Sequence, residues 1–195
     1  MKREGSESVK IKCIGIVGLL EDRFIDMSAD ERPPEQKLYL NAEKQLIFPS
    51  ENIFSFLYSQ SNGCAKRYEE KKWKNYAMSG PAYTSITPEF PTINRNGKPI
   101  NFIGFTGPEK DYDDVALIRV LRHKAIVKKG SASIPSPKIR PMIEPPWEIE
   151  FEISLFENPL ITIQKIKNWF IKGGTEIGFG TYRPRFGRFM VEFRD

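Results

Sequence analysis

The sharpest hydrophobic pattern lies in the last third of the chain. Trp147, Ile149, Phe151, Ile153 and Leu155 alternate with Glu148, Glu150, Glu152 and Ser154. Period two predicts a strand with one apolar and one wet face. Asn158-Pro159 then offers a cap and a first-turn proline, and Leu160, Ile163, Ile166, Lys167 and Phe170 follow at helical spacing. Gly173-Gly174 is the expected left-handed stop. A loop rich in glycine and arginine leads into a final strand, Arg188 to Phe193.

The first half is less regular. Val9 to Leu20 is rich in β-branched residues and reads as a strand. Residues 21–34 read as a loop. Gln36 to Leu40 and Gln45 to Phe48 flank Asn41-Ala42-Glu43-Lys44, the pattern of a short hairpin. Ser50 is placed to cap a helix with Glu51 in its first turn, and Ile53, Phe54, Leu57 and Tyr58 share one face. That helix should stop near Ser61-Asn62-Gly63, before a basic stretch that also reads as helical, AKRYEEKKWKNYAM. Residues 80–114 are loop-rich, and Val115 to Lys128 reads as a strand on its β-branched content. Residues 130–146, rich in serine and proline, are expected to be irregular. Together these elements predict a single α+β domain over 1–195. Its core would be a ferredoxin-like (RRM-like) βαββαβ arrangement, with residues 61–114 as a loop-rich, thumb-like insertion.

Composition narrows the function. The 195 residues hold 30 Lys plus Arg against 25 Asp plus Glu, a formal charge of +5 that leans mildly toward polyanions. No apolar run approaches the ~20 residues of a membrane span. With two cysteines and one histidine, a structural zinc site of the usual kind cannot be built. No cofactor or metal is expected. The start, MKREGSESVK, lacks the apolar core of a secretory signal, so a cytoplasmic location is expected.

The chemistry concentrates in GFGTYRPRFGRF, residues 178–189. Gly178, Gly180 and Gly187 would let backbone amides approach an anion. Arg183, Arg185 and Arg188 offer planar forks for phosphate oxygens. Tyr182, Phe186 and Phe189 offer stacking faces for unpaired bases. The combination points to single-stranded nucleic acid. A loop that only turns the chain, its aromatics plugging the core, would carry the same letters. A Rossmann turn does not fit, because this loop leads into a strand. No GxxxxGK[ST] phosphate loop is present.

This loop, between the last helix and the last strand, resembles the glycine-rich loop of the RAMP (repeat-associated mysterious protein) superfamily, the ferredoxin-like RNA-binding proteins of CRISPR systems. Gly178-Phe179-Gly180, the basic spacer with Arg183 and Arg185, and Gly187 match that pattern, whereas Gly187-Arg188-Phe189 departs from a final Gly-x-Gly. IKCIGIVGLLEDRF and LYLNAEKQLIFPSENIFSFL resemble the first strand and first helix of effector backbone subunits, whose stand-alone relatives occur in phages and mobile elements. The resemblance implies a backbone subunit that binds guide RNA without reading its sequence. It would assemble with other copies of itself and with other effector subunits, away from membranes. The implied contacts are Gly178, Gly180, Tyr182, Arg183, Arg185, Phe186, Gly187 and Arg188 in a palm. Lys66, Arg67, Lys71, Lys72 and Lys74, around Trp73 and Tyr76, would belong to the insertion, and Arg122, Lys124 and Lys128 to a basic strand. A solvated helix face and a lysine-guarded edge strand would look the same as these last two groups.

Catalysis is not expected. Processing endoribonucleases of the superfamily use a histidine, and His123 is the only one here, inside a basic run. Asp22 and Asp26 lie where some backbone subunits carry a cleaving aspartate, and Asp111-Tyr112-Asp113-Asp114 reads as a solvated turn. The alternatives are an endoribonuclease of the same fold, or a phage-encoded mimic that binds effector subunits and inhibits them.

Overall fold

A computed structural model describes residues 7–23, 32–107, 109–129 and 132–194, with the side chains of 125–136 outside the description. In chain order the elements are β1 (Glu7–Gly15), β2 (Leu19–Leu20), α1 (Ser50–Tyr58), α2 (Cys64–Tyr68), α3 (Trp73–Tyr83), β3 (Thr84–Thr87), β4 (Ile93–Arg95), β5 (Lys98–Pro99), β6 (Tyr112–Asp113), β7 (Ile118–Lys129), β8 (Ala132–Ile143), β9 (Glu148–Leu155), α4 (Ile163–Glu176) and β10 (Phe189–Arg194). Short 3-10 turns occupy Pro34–Lys37 and Glu70–Lys72.

The chain is mixed α and β, with two antiparallel sheets. The larger runs β10-β1-β9-β4-β5, and β3 pairs with β9 beyond β4. Val9, Ile11 and Cys13 of β1 and Ile149, Phe151 and Ile153 of β9 point to one face, where α1 and α4 cover them with Ile53, Phe56, Ile166 and Phe170. The glutamates of β9 lie on the opposite face, as the period-two pattern requires. Trp147, just before β9, is buried against Gly15, where a Cβ would lie 2.1 Å from its ring. Residues 61–114 hold α2 and α3 and also supply β3 and β4 to this sheet.

The smaller sheet, β2-β8-β7-β6, corrects the expectation of an irregular 130–146. β8 runs through three prolines, and parity explains why it can. Pro135, Pro137 and Pro141 pair with Ile126, Lys124 and Val120, all on one parity of the ladder. Val120 sends its N–H away from β8, to the Asp111 carbonyl at 2.7 Å. Its pair is therefore of the non-hydrogen-bonded kind, and each proline lacks a donor only where none would reach β7. The Pro141 carbonyl faces outward too, accepting from Glu21 N at 3.2 Å.

Three boundaries also differ. Ser50 is the first residue of α1, after Pro49. α4 starts at Ile163, with Thr162 Oγ1 capping Lys165 N, while Asn158 Oδ1 instead ties Leu160 N and Ile161 N into a turn. Gly173 and Gly174 sit inside α4, because their bare faces admit Phe56 and Phe189; Cβ atoms there would lie 2.7 Å from the Phe56 ring and 2.6 Å from the Phe189 carbonyl. Of the hairpin expected over 36–48, only the Leu40–Leu46 bridge forms, because Pro34–Lys37 coils into a 3-10 turn.

Candidate nucleic-acid interface

The loop between α4 and β10 is built from the core outward. Phe179 is wholly buried, 5.0 Å from the Phe48 and Phe56 rings and stacked at 4.3 Å on Phe189. Backbone bonds close the loop on itself and on the turn after β1: Phe179 N to Gly187 O at 2.8 Å, Gly187 N to Gly18 O at 2.8 Å, and Thr181 N to Leu20 O at 3.1 Å. Two glycines are obligatory here. Gly187 has φ +72°, and a Cβ would lie 2.0 Å from the Phe179 carbonyl oxygen; Gly180 has φ +71°, with Leu20 O at 2.4 Å. Gly178 also has positive φ, just past the end of α4.

The loop's aromatics divide between core and surface. Phe189 plugs the core beside Phe179, Phe186 is half-buried, and Tyr182 is 40% exposed. The arginines divide as well. Arg185 and Arg188 are exposed, without a carboxylate partner among the described residues, and the Arg185 guanidinium lies 5.5 Å from the Phe186 ring. Arg183 turns inward, its Nη2 donating to Asn62 Oδ1 at 3.0 Å and to Ser55 Oγ at 3.5 Å, and its Nη1 to Gly178 O at 3.4 Å. Desolvation lowers its pKa from the ordinary arginine value.

The basic residues of α2 and α3 are brought near this loop only in part. Lys66 and Arg67 line one cleft with Arg183 and Pro184. Arg67 is ion-paired with Glu176 at 3.0 Å, whereas the Lys66 ammonium sits 3.6 Å from the centre of the Trp73 ring. Lys71, Lys72 and Lys74 are exposed, Lys74 at 5.9 Å from the same ring. On β7, Arg122 is held between Glu109 and Asp111, each at 3.6 Å, and Lys124 is exposed. The Lys128 side chain and Asp26 lie outside the described residues.

A polar cluster that the sequence did not reveal joins the loop to the smaller sheet. Arg140 of β8 donates to Asp22 Oδ2 at 2.8 Å and lies 3.2 Å from His123 Nε2. An arginine only donates, so Nε2 accepts and the imidazole proton sits on Nδ1, which is buried with no hydrogen-bond partner among the described residues. Burial, then Arg140 and Arg185, lower the His123 pKa from the ordinary imidazole value. Its face meets Tyr182 at 4.8 Å. Arg140 was masked in sequence by the prolines around it, and nothing in the pattern linked it to Asp22, 118 residues away.

The outer face of the larger sheet is not cationic. Lys12 bridges Glu148 and Glu150 at 3.1 and 3.5 Å, and Arg194 meets Glu150 at 3.4 Å. Its side chains on β1, β9 and β10 include no aromatic ring on which a base could stack. Among the described residues no group of acidic, histidine and cysteine side chains could hold a metal ion, and no helix is long and apolar enough to cross a membrane.

This architecture has a counterpart among solved structures. A chain in the cryo-EM structure of the Type III-B Cmr-beta bound to cognate target RNA matches with a TM-score of 0.52 at 11% identity. The match covers 98% of the present chain and 60% of that one, so the present chain spans about three-fifths of its length. At this identity the likeness is one of fold. No protein-family model and no curated protein matches the sequence.

Proposed function

We propose that this chain is an RNA-binding backbone subunit of a CRISPR-type ribonucleoprotein, holding single-stranded guide RNA without reading its sequence, beside further copies of itself and other effector subunits. The observation that carries the reading is the loop: Phe179 and Gly187 fix it, and the fixed loop presents Arg185 and Arg188 outward beside the exposed Tyr182 ring. Pre-set cations of this kind bind a phosphate chain without first having to be ordered. The fold likeness to a chain of a complex bound to RNA supports it. The strand order β10-β1-β9 with β3 and β4 beyond, all antiparallel, supports a ferredoxin-like core with a RAMP-type palm. The segment holding α2 and α3 would be the thumb-like flank.

The reading includes no RNA cleavage. His123, whose Nε2 is already engaged by the Arg140 guanidinium at 3.2 Å, is poorly placed to take a proton from a ribose hydroxyl. The test is fluorescence anisotropy with unstructured RNAs of unrelated sequence at low and moderate salt, followed by gel analysis of RNA integrity. Similar affinities that fall with salt, on intact RNA, are expected. No binding at low salt overturns the reading; cleavage abolished by His123→Ala replaces it with the endoribonuclease.

A further inference from the structure

The cleft beside the loop has a volume of about 240 Å3 and is lined by Asn62, Lys66, Arg67, Glu176, Arg183 and Pro184 among others. Its electrostatics are unbalanced. Arg67 is neutralised by Glu176, but Arg183 and Lys66 have no carboxylate partner among the described residues. Arg183 is the more telling of the two. Its guanidinium is half-buried, and every acceptor it meets is a neutral oxygen, only one of them closer than 3.4 Å. A guanidinium has five donors and is costly to desolvate without an anion. Here it is withdrawn from water, under-bonded and open to a cleft where Lys66, resting on the Trp73 ring, is the other cation without a carboxylate partner among the described residues.

We propose that this cleft binds a phosphate monoester dianion, the terminal phosphate of an RNA strand, between Arg183 and Lys66. The two cations that lack a carboxylate among the described residues match the two charges of a monoester, where a backbone diester brings only one. The Ser61 and Asn62 side chains at the rim add neutral hydrogen-bonding groups. The choice of an RNA end as the source rests on the RNA-binding reading; the phosphate site itself does not.

A monoester gains its second charge with a pKa of about 6, and a diester has no such titration. The experiment therefore compares one short single-stranded RNA carrying a 5′-phosphate, a 3′-phosphate or hydroxyls at both ends, at pH 7.5 and 5.5. One phosphorylated form should bind about tenfold more tightly at pH 7.5, the worth of one charge-assisted hydrogen bond, and the advantage should shrink at pH 5.5. Arg183→Met and Lys66→Met should each remove that advantage, so that the phosphorylated and hydroxyl-ended RNAs bind each variant equally. Lys66 is exposed, so its variant remains informative if Arg183→Met fails to fold. Equal binding of all three RNAs at both pH values overturns the proposal and leaves the RNA-binding reading standing. If no RNA binds, inorganic phosphate and uridine monophosphate are tested for thermal protection. Protection lost in Lys66→Met keeps the cleft and removes the RNA reading; no protection removes both.

Discussion

Residues 132–143 and residues 178–188 are both rich in the residues that break regular structure, yet they end in opposite conformations. The first, with Pro135, Pro137 and Pro141, is a twelve-residue strand. The second, with Gly178, Gly180 and Gly187, is a loop without a strand or helix of its own. Each local rule is obeyed in both. Proline costs a strand only the donor it lacks, and an alternation of two keeps every such gap on the side away from β7. Glycine permits a loop but does not fix it; here Phe179 does, by entering a core of five phenylalanines with Phe48, Phe56, Phe170 and Phe189. Breaker residues are thus read by their spacing and by what lies between them, more than by their number.

The largest effect should come from removing the loop's anchor. Phe179→Ala is expected to cost about 3–5 kcal/mol, measured by urea denaturation, because it empties a fully buried ring site. A loss below about 1 kcal/mol would mean that the loop is held by its backbone bonds alone. The strand is tested by parity. Ser136→Pro should cost about 3 kcal/mol, because the Ser136 backbone faces Ala125 on the hydrogen-bonded parity. Pro141→Ala should change stability by under about 1 kcal/mol. Equal costs at the two positions would refute the parity account.

These contrasts bear on what the sequence could show. The alternation over 147–155, the helix beginning at Pro49-Ser50 and the position of the glycine-rich loop were legible, because each is a local periodicity or a run of turn chemistry. The β8 strand was not, since its legality depends on which edge of the ladder its prolines face, a property of the partner strand. The later end of α4 was hidden for a related reason: Gly173 and Gly174 look like a stop until Phe56 and Phe189 occupy their bare faces. The site divides in the same way. Exposed Arg185 and Arg188 could be named from composition, but the inward turn of Arg183 depends on Ser55 and Asn62, more than 100 residues earlier.

The link between the two segments is testable through pH. Leu20 O receives Thr181 N from the loop, and the next residue, Glu21, donates its N–H to Pro141 O of the strand. The Glu21 side chain is buried, with Oε2 accepting from Tyr39 N and Oε1 unpartnered among the described residues, and burial raises its pKa from 4.5 to about 8. A raised carboxyl pKa means that the folded state holds the proton more tightly. Its contribution is complete below pH 4.5 and is lost as the pH rises through about 8. Glu21→Gln should be nearly neutral at pH 4 and stabilising at pH 9, by on the order of 2 kcal/mol. A thermal melt series with the same pH slope in both proteins would show that Glu21 is not the titrating group.

The smallest effect on stability should accompany a clear effect on binding. Arg185 and Arg188 are exposed, and neither carries an ion pair to a described residue, so their alanine variants should change stability by no more than about 0.5 kcal/mol. For single strands, each phosphate contact contributes about 0.7 to the slope of log affinity against log salt, so the double variant should lower that slope by about 1.4. Ser136→Pro supplies the control: it weakens the strand without touching the loop's cations, and at a temperature where it remains folded its salt slope should match the wild type. If that variant lost the slope while Arg185→Ala and Arg188→Ala kept it, the phosphate chain would run along the proline-bearing hairpin. The glycine-rich loop would then be a core plug and chain reversal, with the binding surface on the segment that composition alone would have dismissed.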